Sequence, residues 1–435
     1  MNILIISSLS PYRSSNLGWD YMEALRGAGH HVDFLTKYKF KNMTDGMYSV
    51  FETEPPTSQP VVRSNAKLKD FFKSHFLRFT IYLKSFRSTP VIVYPDENEP
   101  GIDTEMLLSQ ITNIGVEYDL IMMLFWDGMI TSKTIRDVYD KYKIPILLLP
   151  VDMAVMTGGC YYFGKCRGYK NECRNCPSAK QFKCKDQAHH NFLFKQHILH
   201  SVNCVITTNE WNRKSLQDSH IVQYEKLHYG TVIVNEKLFK PVDKMEVRAK
   251  LGLPENKFIM FFGAKVIDSP RKGISYLIKA LNRLANEDFG KDLLFVLAGD
   301  VSERIVSMFN IDVKLTGFLS PEELAMTYAA SDLYLSPSID DSGPSMVNQS
   351  LMCGTPVIAF NVGVANELID NGRNGYIAQA RDSKSFADGI IMMHTRMLTN
   401  ETEIRHCCRE TAMRHNSYKA FSERFMSYYQ FLKRN

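Results

Sequence analysis

The sequence predicts an α/β protein of two doubly wound parallel-sheet domains facing each other across a cleft. Three observations predict it. The chain has 435 residues, too many for one ordinary core and suited to two domains of about 200 residues each. Short apolar runs alternate with helical patterns along both halves, the rhythm of parallel strands joined by crossover helices. Between the halves runs Tyr229–Val242, poor in periodic pattern and carrying Gly230 and Pro241, which reads as a linker.

The elements follow in order. Asn2–Ser7 reads as a strand, Gly18–Ala28 as a helix and Val32–Thr36 as a strand. Val91–Tyr94, Leu120–Leu124 and Ile144–Leu149 are further expected strands, separated by helical patterns near Thr104–Thr112 and Ile130–Lys141. A helix over Asn191–Ser201 leads into a strand at Cys204–Thr207. The second half repeats the rhythm: strand Phe258–Phe262, helix Ile274–Ala285, strand Leu293–Ala298 and helix Pro321–Ala330. Leu333–Leu335, Val357–Phe360 and Tyr376–Ala378 complete the expected strands, and Tyr418–Leu432 is the last helix. Two such domains place a ligand cleft between the C-terminal edges of their sheets.

Composition narrows the class. Apolar residues make up 45% and charged residues 23% of the chain, as in a soluble globular protein. No apolar run approaches the roughly 18 residues of a membrane span. The opening MNILIISS reads directly as a strand, without a basic n-region or cleavage site, so no export and a cytoplasmic location are expected. A net charge of +5 is too mild to argue for a nucleic-acid partner.

Two segments of the second half carry chemistry. The first is Ser336–Gly375, SPSIDDSGPSMVNQSLMCGTPVIAFNVGVANELIDNGRNG. It reads as strand end, acidic loop, Gly-Pro-Ser turn, short helix, Cys-Gly-Thr-Pro turn and strand. Asp341 precedes the helix start and Gln349 lies one turn into the helix, while the backbone N–H groups of Ser345 and Met346 open it, where a diphosphate fits. The second is Gly263–Gly273, GAKVIDSPRKG, after a strand and before a helix. Gly263 and Gly273 allow close backbone approach. Lys265, Arg271 and Lys272 crowd the turn with positive charge, suited to a departing nucleoside diphosphate.

In the first half, Cys160, Cys166, Cys173 and Cys176 stand close in sequence among nine cysteines, with Cys184 beyond. The odd total without an export signal argues against a disulfide framework. Structural zinc, reduced structural thiols, and disulfides or redox chemistry all remain open. Segment 63–87, RSNAKLKDFFKSHFLRFTIYLKSFR, puts aromatic residues at helical spacing on a basic background. It reads either as a helix docking on an anionic membrane, peripheral on its inner face, or as a core helix with a solvated basic side.

These motifs resemble the family 4 (group 1) retaining glycosyltransferases of the GT-B fold, a likeness covering most of the chain. The family pattern of two acids separated by seven residues, then a helix and Cys-Gly-Thr-Pro, falls on Asp341 and Gln349, with Asp340 as an alternative to Asp341. The Gly-Arg and Lys-Gly that bound the family's basic loop fall on Gly263-Ala264 and Lys272-Gly273. Pro150–Pro177 is similar to a subgroup with His-Asp-Met, Thr-Gly-Gly-Cys and Cys-x-x-Cys-Pro; here Val151 replaces the histidine and Asp152 remains.

The resemblance implies an acceptor-side domain over 1–232 and a nucleotide-sugar domain over 233–417, with 418–435 packing back on the first. It implies hexosyl transfer from a nucleotide sugar to a saccharide or lipid-linked saccharide with retention of configuration, in surface polysaccharide or glycan biosynthesis. Asp341 would orient the donor sugar, Gln349 would hold ribose, and Glu367 would lie near base or ribose. Gly317 would help frame the base, and Gly18 would let diphosphate and acceptor approach. No cofactor for catalysis is implied. The alternatives are an epimerase of the same fold, or a catalytically inactive sugar-nucleotide-binding or scaffold subunit, in whose favour Ala264, Val151 and Gln349 speak.

Overall fold

The computed structural model describes residues 1–8, 17–41, 43–52, 96–99, 102–124, 129–179 and 186–434. The expected strand at 91–94, the basic aromatic segment 63–87 and Cys184 lie outside them.

The described residues form two wholly parallel sheets. The first contains β1 (Asn2–Ser7), β2 (His31–Tyr38), β3 (Met47–Phe51), β4 (Leu120–Leu124), β5 (Ile146–Leu149), β6 (Cys204–Thr208) and β7 (Leu227–Tyr229), in the order β3-β2-β1-β4-β5-β6-β7. The second contains β8 (Phe258–Val266), β9 (Leu293–Asp300), β10 (Asp312–Gly317), β11 (Leu333–Ser336), β12 (Val357–Phe360) and β13 (Gly375–Ala378), in the order β10-β9-β8-β11-β12-β13. Strands such as LIMML of β4 and VIAF of β12 are buried along their whole length. Helices cover both faces of a parallel sheet, so its central strands read as continuous apolar runs.

Each sheet reverses direction at its first strand. Ile5 of β1 pairs with Phe34 on one side and Met122 on the other. Met260 of β8 pairs with Phe295 of β9 and Leu333 of β11. The loops leaving the C-terminal ends of β8 and β11 therefore diverge at a topological switch point, where an open α/β sheet has its binding crevice. That topology brings the basic loop to the acidic loop.

Several elements differ from the expectation. Met47–Phe51, Leu227–Tyr229 and the helices Glu210–Ser219 and Lys244–Leu251 are additional. The largest addition is helix Ser383–Asn416, kinked at Asn400, where the backbone leaves helical geometry. It packs on helices Ser345–Met352 and Ile274–Leu284 and on β13.

Helix Tyr418–Arg434 returns to the first sheet. Its Phe421, Phe425, Tyr428 and Leu432 are buried in one cluster with Ile3, Ile5, Tyr21 and Leu25. Tyr21 meets Phe421 edge-on at 4.8 Å, and the Tyr418 hydroxyl donates to Asp20 Oδ1 at 2.8 Å. Burial pushes the Asp20 carboxyl up to about 7, the Tyr418 hydrogen bond offsetting part of the rise. Asn416 ties the crossing down: its side chain donates to Val232 O at 2.7 Å and its carbonyl accepts from Val234 N at 2.9 Å.

Candidate active site

The basic loop and the acidic loop meet at Asp341. Lys272 Nζ stands 2.7 Å and Arg271 Nη1 3.1 Å from the same oxygen, Asp341 Oδ2. Burial alone would raise the Asp341 carboxyl; the Lys272 and Arg271 charges and the hydrogen bonds outweigh it and hold the group below the usual carboxylate range. The backbones are joined as well, Ile339 N donating to Arg271 O at 2.8 Å. Gly273 makes this approach possible. Its φ is +71°, and a Cβ there would run into the carbonyl oxygen of Pro337. Gly263 lies against the helix, where a Cβ would come within 2.9 Å of the Met346 side-chain end, Cε.

Helix Ser345–Met352 begins beside this cluster with Pro344 at its N-cap. Its first-turn N–H groups, Ser345 and Met346 among them, lack acceptors within the helix, as at any helix start. Gln349 follows Ser345 by four residues, hence on the same face, and its Oε1 accepts from the buried Tyr328 hydroxyl at 3.4 Å. Lys265 lies exposed at the end of β8, apart from the Asp341 ion pairs. Gly317 ends the edge strand β10 at φ +70° beside the exposed Phe318, two strands from the basic loop.

Residues that sequence reasoning left out join the site from the first half. The Arg271 guanidinium lies 4.1 Å from the centroid of the Tyr162 ring, within reach of a cation–π contact. Burial, with the Asp341 charge second, raises the Tyr162 hydroxyl and keeps it protonated. Asp340 is buried, and its Oδ2 has no hydrogen-bond partner among the described residues. Burial and then the neighbouring Asp341 charge push its carboxyl up to about 6. Asn209 caps helix Glu210–Ser219 and donates to Ser342 O at 2.7 Å, while Asn212 Nδ2 reaches Ser342 Oγ at 2.5 Å. Glu367 also faces the first half: its Oε1 accepts from Trp211 N at 3.3 Å, and burial pushes its carboxyl up to about 7.

In the first half, Asp152 follows β5 at the C-terminal edge of the first sheet. Its Oδ1 accepts from Ala154 N at 2.7 Å, and it lines a small cavity with Met123, Leu149 and Val155. Gly18 is the second residue of helix Leu17–Gly27 and is buried. The segment that follows Asp152 is pinned from beneath by the fully buried Lys195, whose Nζ donates to Ala154 O at 2.5 Å and Thr157 O at 2.8 Å and pairs with Glu97 at 3.2 Å. The four expected metal ligands, Cys160, Cys166, Cys173 and Cys176, line one cavity and are free of disulfides. Among the described residues, no group of three or more His, Cys, Asp or Glu is drawn together closely enough to hold a metal ion.

Residues 256–396 match the family described as Glycosyl transferases group 1. That segment is similar to a group 1 glycosyltransferase domain. The matched segment contains the basic loop, Asp341, Gln349 and Glu367, while Tyr162, Asn209, Trp211 and Asn212, which contact them, precede it. Among curated relatives, the D-inositol 3-phosphate glycosyltransferase of Nocardioides sp. is 24% identical over 219 residues, 45% of this chain and 47% of that protein. The enzyme of the same name from Saccharomonospora viridis is 28% identical over 166 residues, 35% of this chain and 38% of that protein. The chain thus spans less than half the length of the curated relatives it matches.

Solved structures extend the likeness beyond the group 1 domain. The sucrose-phosphate synthase of Thermosynechococcus elongatus superposes with a TM-score of 0.65 at 19% identity, covering 99% of this chain and 98% of that one. Anabaena Alr3699/HepE in complex with UDP superposes at 0.63 and 16% identity, covering 98% and 99%. At these identities the likeness shows the fold: two facing Rossmann-like halves of the GT-B class.

Proposed function

We propose that the chain is a nucleotide-sugar-dependent glycosyltransferase of hexosyltransferase type. It moves a sugar from a nucleotide donor to a saccharide or lipid-linked saccharide with retention of configuration, in surface polysaccharide or glycan biosynthesis. The observation that carries this reading is the convergence of Arg271 and Lys272 on Asp341 beside the start of helix Ser345–Met352. A helix N-terminus and two side-chain cations are complementary to a diphosphate.

In this reading the Ser345 and Met346 N–H groups, Arg271 and Lys272 hold the diphosphate, with Lys265 at the rim. They stabilise the charge that grows on the leaving phosphate as the anomeric C–O bond breaks. Asp341 accepts from donor-sugar hydroxyls and Gln349 bonds the ribose hydroxyl pair. Gly263 and Gly317 keep the backbone open around the nucleotide, and Glu367 lies near the base or ribose. The acceptor enters past Gly18 and Asp152. Its oxygen forms the new bond on the face the phosphate leaves, and its proton passes to the departing phosphate oxygen. The 1–232 half serves the acceptor and the 233–417 half the donor, with 63–87 as the segment for contact with an anionic membrane.

The test is a donor screen: nucleotide release measured with each common sugar nucleotide, alone and with saccharide acceptors. Release with one donor, lost in Lys272→Ala, is the expected outcome. Silence with all donors, alongside nucleotide binding by calorimetry, would favour the inactive-subunit alternative, which the amide at Gln349 and the missing arginine at Ala264 recommend.

A further inference from the structure

The transfer reading leaves the four clustered cysteines without a task. Cys160, Cys166, Cys173 and Cys176 line a cavity of about 20 Å3, walled also by Phe163, Tyr169 and Pro177, which leaves room for about one water-sized body. Backbone amides are aimed at the sulfurs: Gly158 N–H donates to Cys173 Sγ at 3.2 Å and Gly168 N–H to Cys166 Sγ at 3.3 Å. The second of these runs from residue i+2 back to the sulfur of residue i, a turn that shares a thiolate's charge with peptide dipoles and serves as outer support for a metal ligand. Gly158 has no space for a side chain, since a Cβ would strike Ala188 O.

The loop is also held in a costly conformation. Glu172, Cys173 and Asn175 have φ of 50°, 55° and 53°, left-handed values that non-glycine residues keep only where their surroundings enforce them. This strained turn carries Cys173 and leads directly into Cys176.

We propose that these four cysteines bind one zinc-class divalent cation, and that the metal-tied loop is a clamp holding Tyr162 against Arg271. The clamp half of the proposal rests on the donor-site reading; the metal half does not. Four thiolates suit zinc, which has no directional preference of its own and takes sulfur at about 2.3 Å in a tetrahedron, whereas magnesium and calcium prefer oxygen ligands. The sulfurs ring the cavity without meeting in a ligand shell, so binding draws them inward, each thiol releasing its proton to solvent. Tyr162 lies two residues from Cys160, so a fixed Cys160 fixes the ring that stacks on Arg271.

The experiment uses the full chain purified without chelator from zinc-supplemented medium. Elemental analysis should find about one zinc per chain, and native thiol titration should find about four fewer reactive thiols than after treatment with a strong zinc chelator. Cys176→Ser should retain at least about tenfold less zinc, while Cys204→Ser, a buried cysteine away from the cluster, should keep it. Amide exchange over 158–178 should speed up on chelation, a readout that needs no activity. Stoichiometric zinc with no donor turnover leaves the metal site standing and sinks the transfer reading. Turnover with zinc below about a tenth per chain and all four thiols free, or with bound iron and visible absorbance instead, overturns the metal site. If Cys176→Ser fails to fold, zinc content and thiol protection of the unaltered chain decide.

Discussion

Asp341 takes Arg271 and Lys272 of the basic loop on one oxygen, which in the proposed function holds them ready for a diphosphate. Under that proposal an entering phosphate would compete with the carboxylate for these donors, coupling donor binding to the freeing of Asp341 for sugar hydroxyls. Lys272→Ala is therefore expected to lower kcat/KM by about 10²–10³, the worth of about 3–4 kcal/mol of transition-state stabilisation. Its melting temperature should change little, because Arg271 still pairs with Asp341; steady-state kinetics beside thermal unfolding separates the two. Asp340 makes a pH prediction. Burial first and the Asp341 charge second raise it from 3.8 to about 6, so the folded state binds its proton more tightly than the unfolded state. Stability is then lost as pH rises through that window. Asp340→Asn should raise Tm at pH 7.5, with the gain shrinking toward pH 5; a Tm gain independent of pH would refute it. Asp341, Lys272 and Gln349 could be singled out in the sequence because their motifs are local, and the structure brings Lys272 to Asp341. Tyr162, Asn209 and Asn212 were not, since their partners lie more than 100 positions away and nothing near them in the chain announces the contact.

The loops at the ends of β8 and β11 act as one element because Gly273 lets their backbones touch. Gly273→Ala combines a left-handed φ with a collision against Pro337 O, and is expected to cost about 1–3 kcal/mol of stability. The loops must part to relieve the clash, so activity should fall further than stability alone explains, measurable as an increase in donor KM at a temperature where the variant remains folded. Buried strands were the easiest elements to read: Leu120–Leu124 and Val357–Phe360 match the expectation, because a strand covered on both faces is a plain apolar run. Helix Ser383–Asn416 was missed. It is contacted by two helices and a strand in succession and bends at Asn400, so its apolar residues follow no single stripe. β7 was missed because Leu227–Tyr229 is only three residues long, and the expected linker began at its last residue.

Among the described residues, the two halves meet at the linker around Val232 and Val234, in the cleft where Ser342, Glu367 and Arg271 touch the first half, and through the returning helix. The returning helix bears weight in the first half. Phe425 is fully buried among residues of β1, β2 and the first helix, and Phe425→Ala is expected to cost about 3–5 kcal/mol. Because Phe425 packs only in that cluster, calorimetry should show an early transition for the first half while the second half melts near its original temperature; one transition shifted as a whole would mean the halves unfold together. The alternation of strand and helix made the two-sheet plan legible, whereas which cleft groups touch depends on how the sheets are set against each other, which no local pattern encodes.

The return of helix Tyr418–Arg434 also has a consequence in time. The first sheet's strands leave the ribosome by Tyr229, yet Phe421, Phe425 and Leu432, which seal one of its faces, are made about 200 residues later. At about 5–20 residues per second, that face stays uncovered for on the order of 10–40 s of synthesis. The nascent chain thus carries an open greasy surface while its second half is still being built, and chaperones that hold such surfaces should bind it in that interval and release it once the last helix emerges.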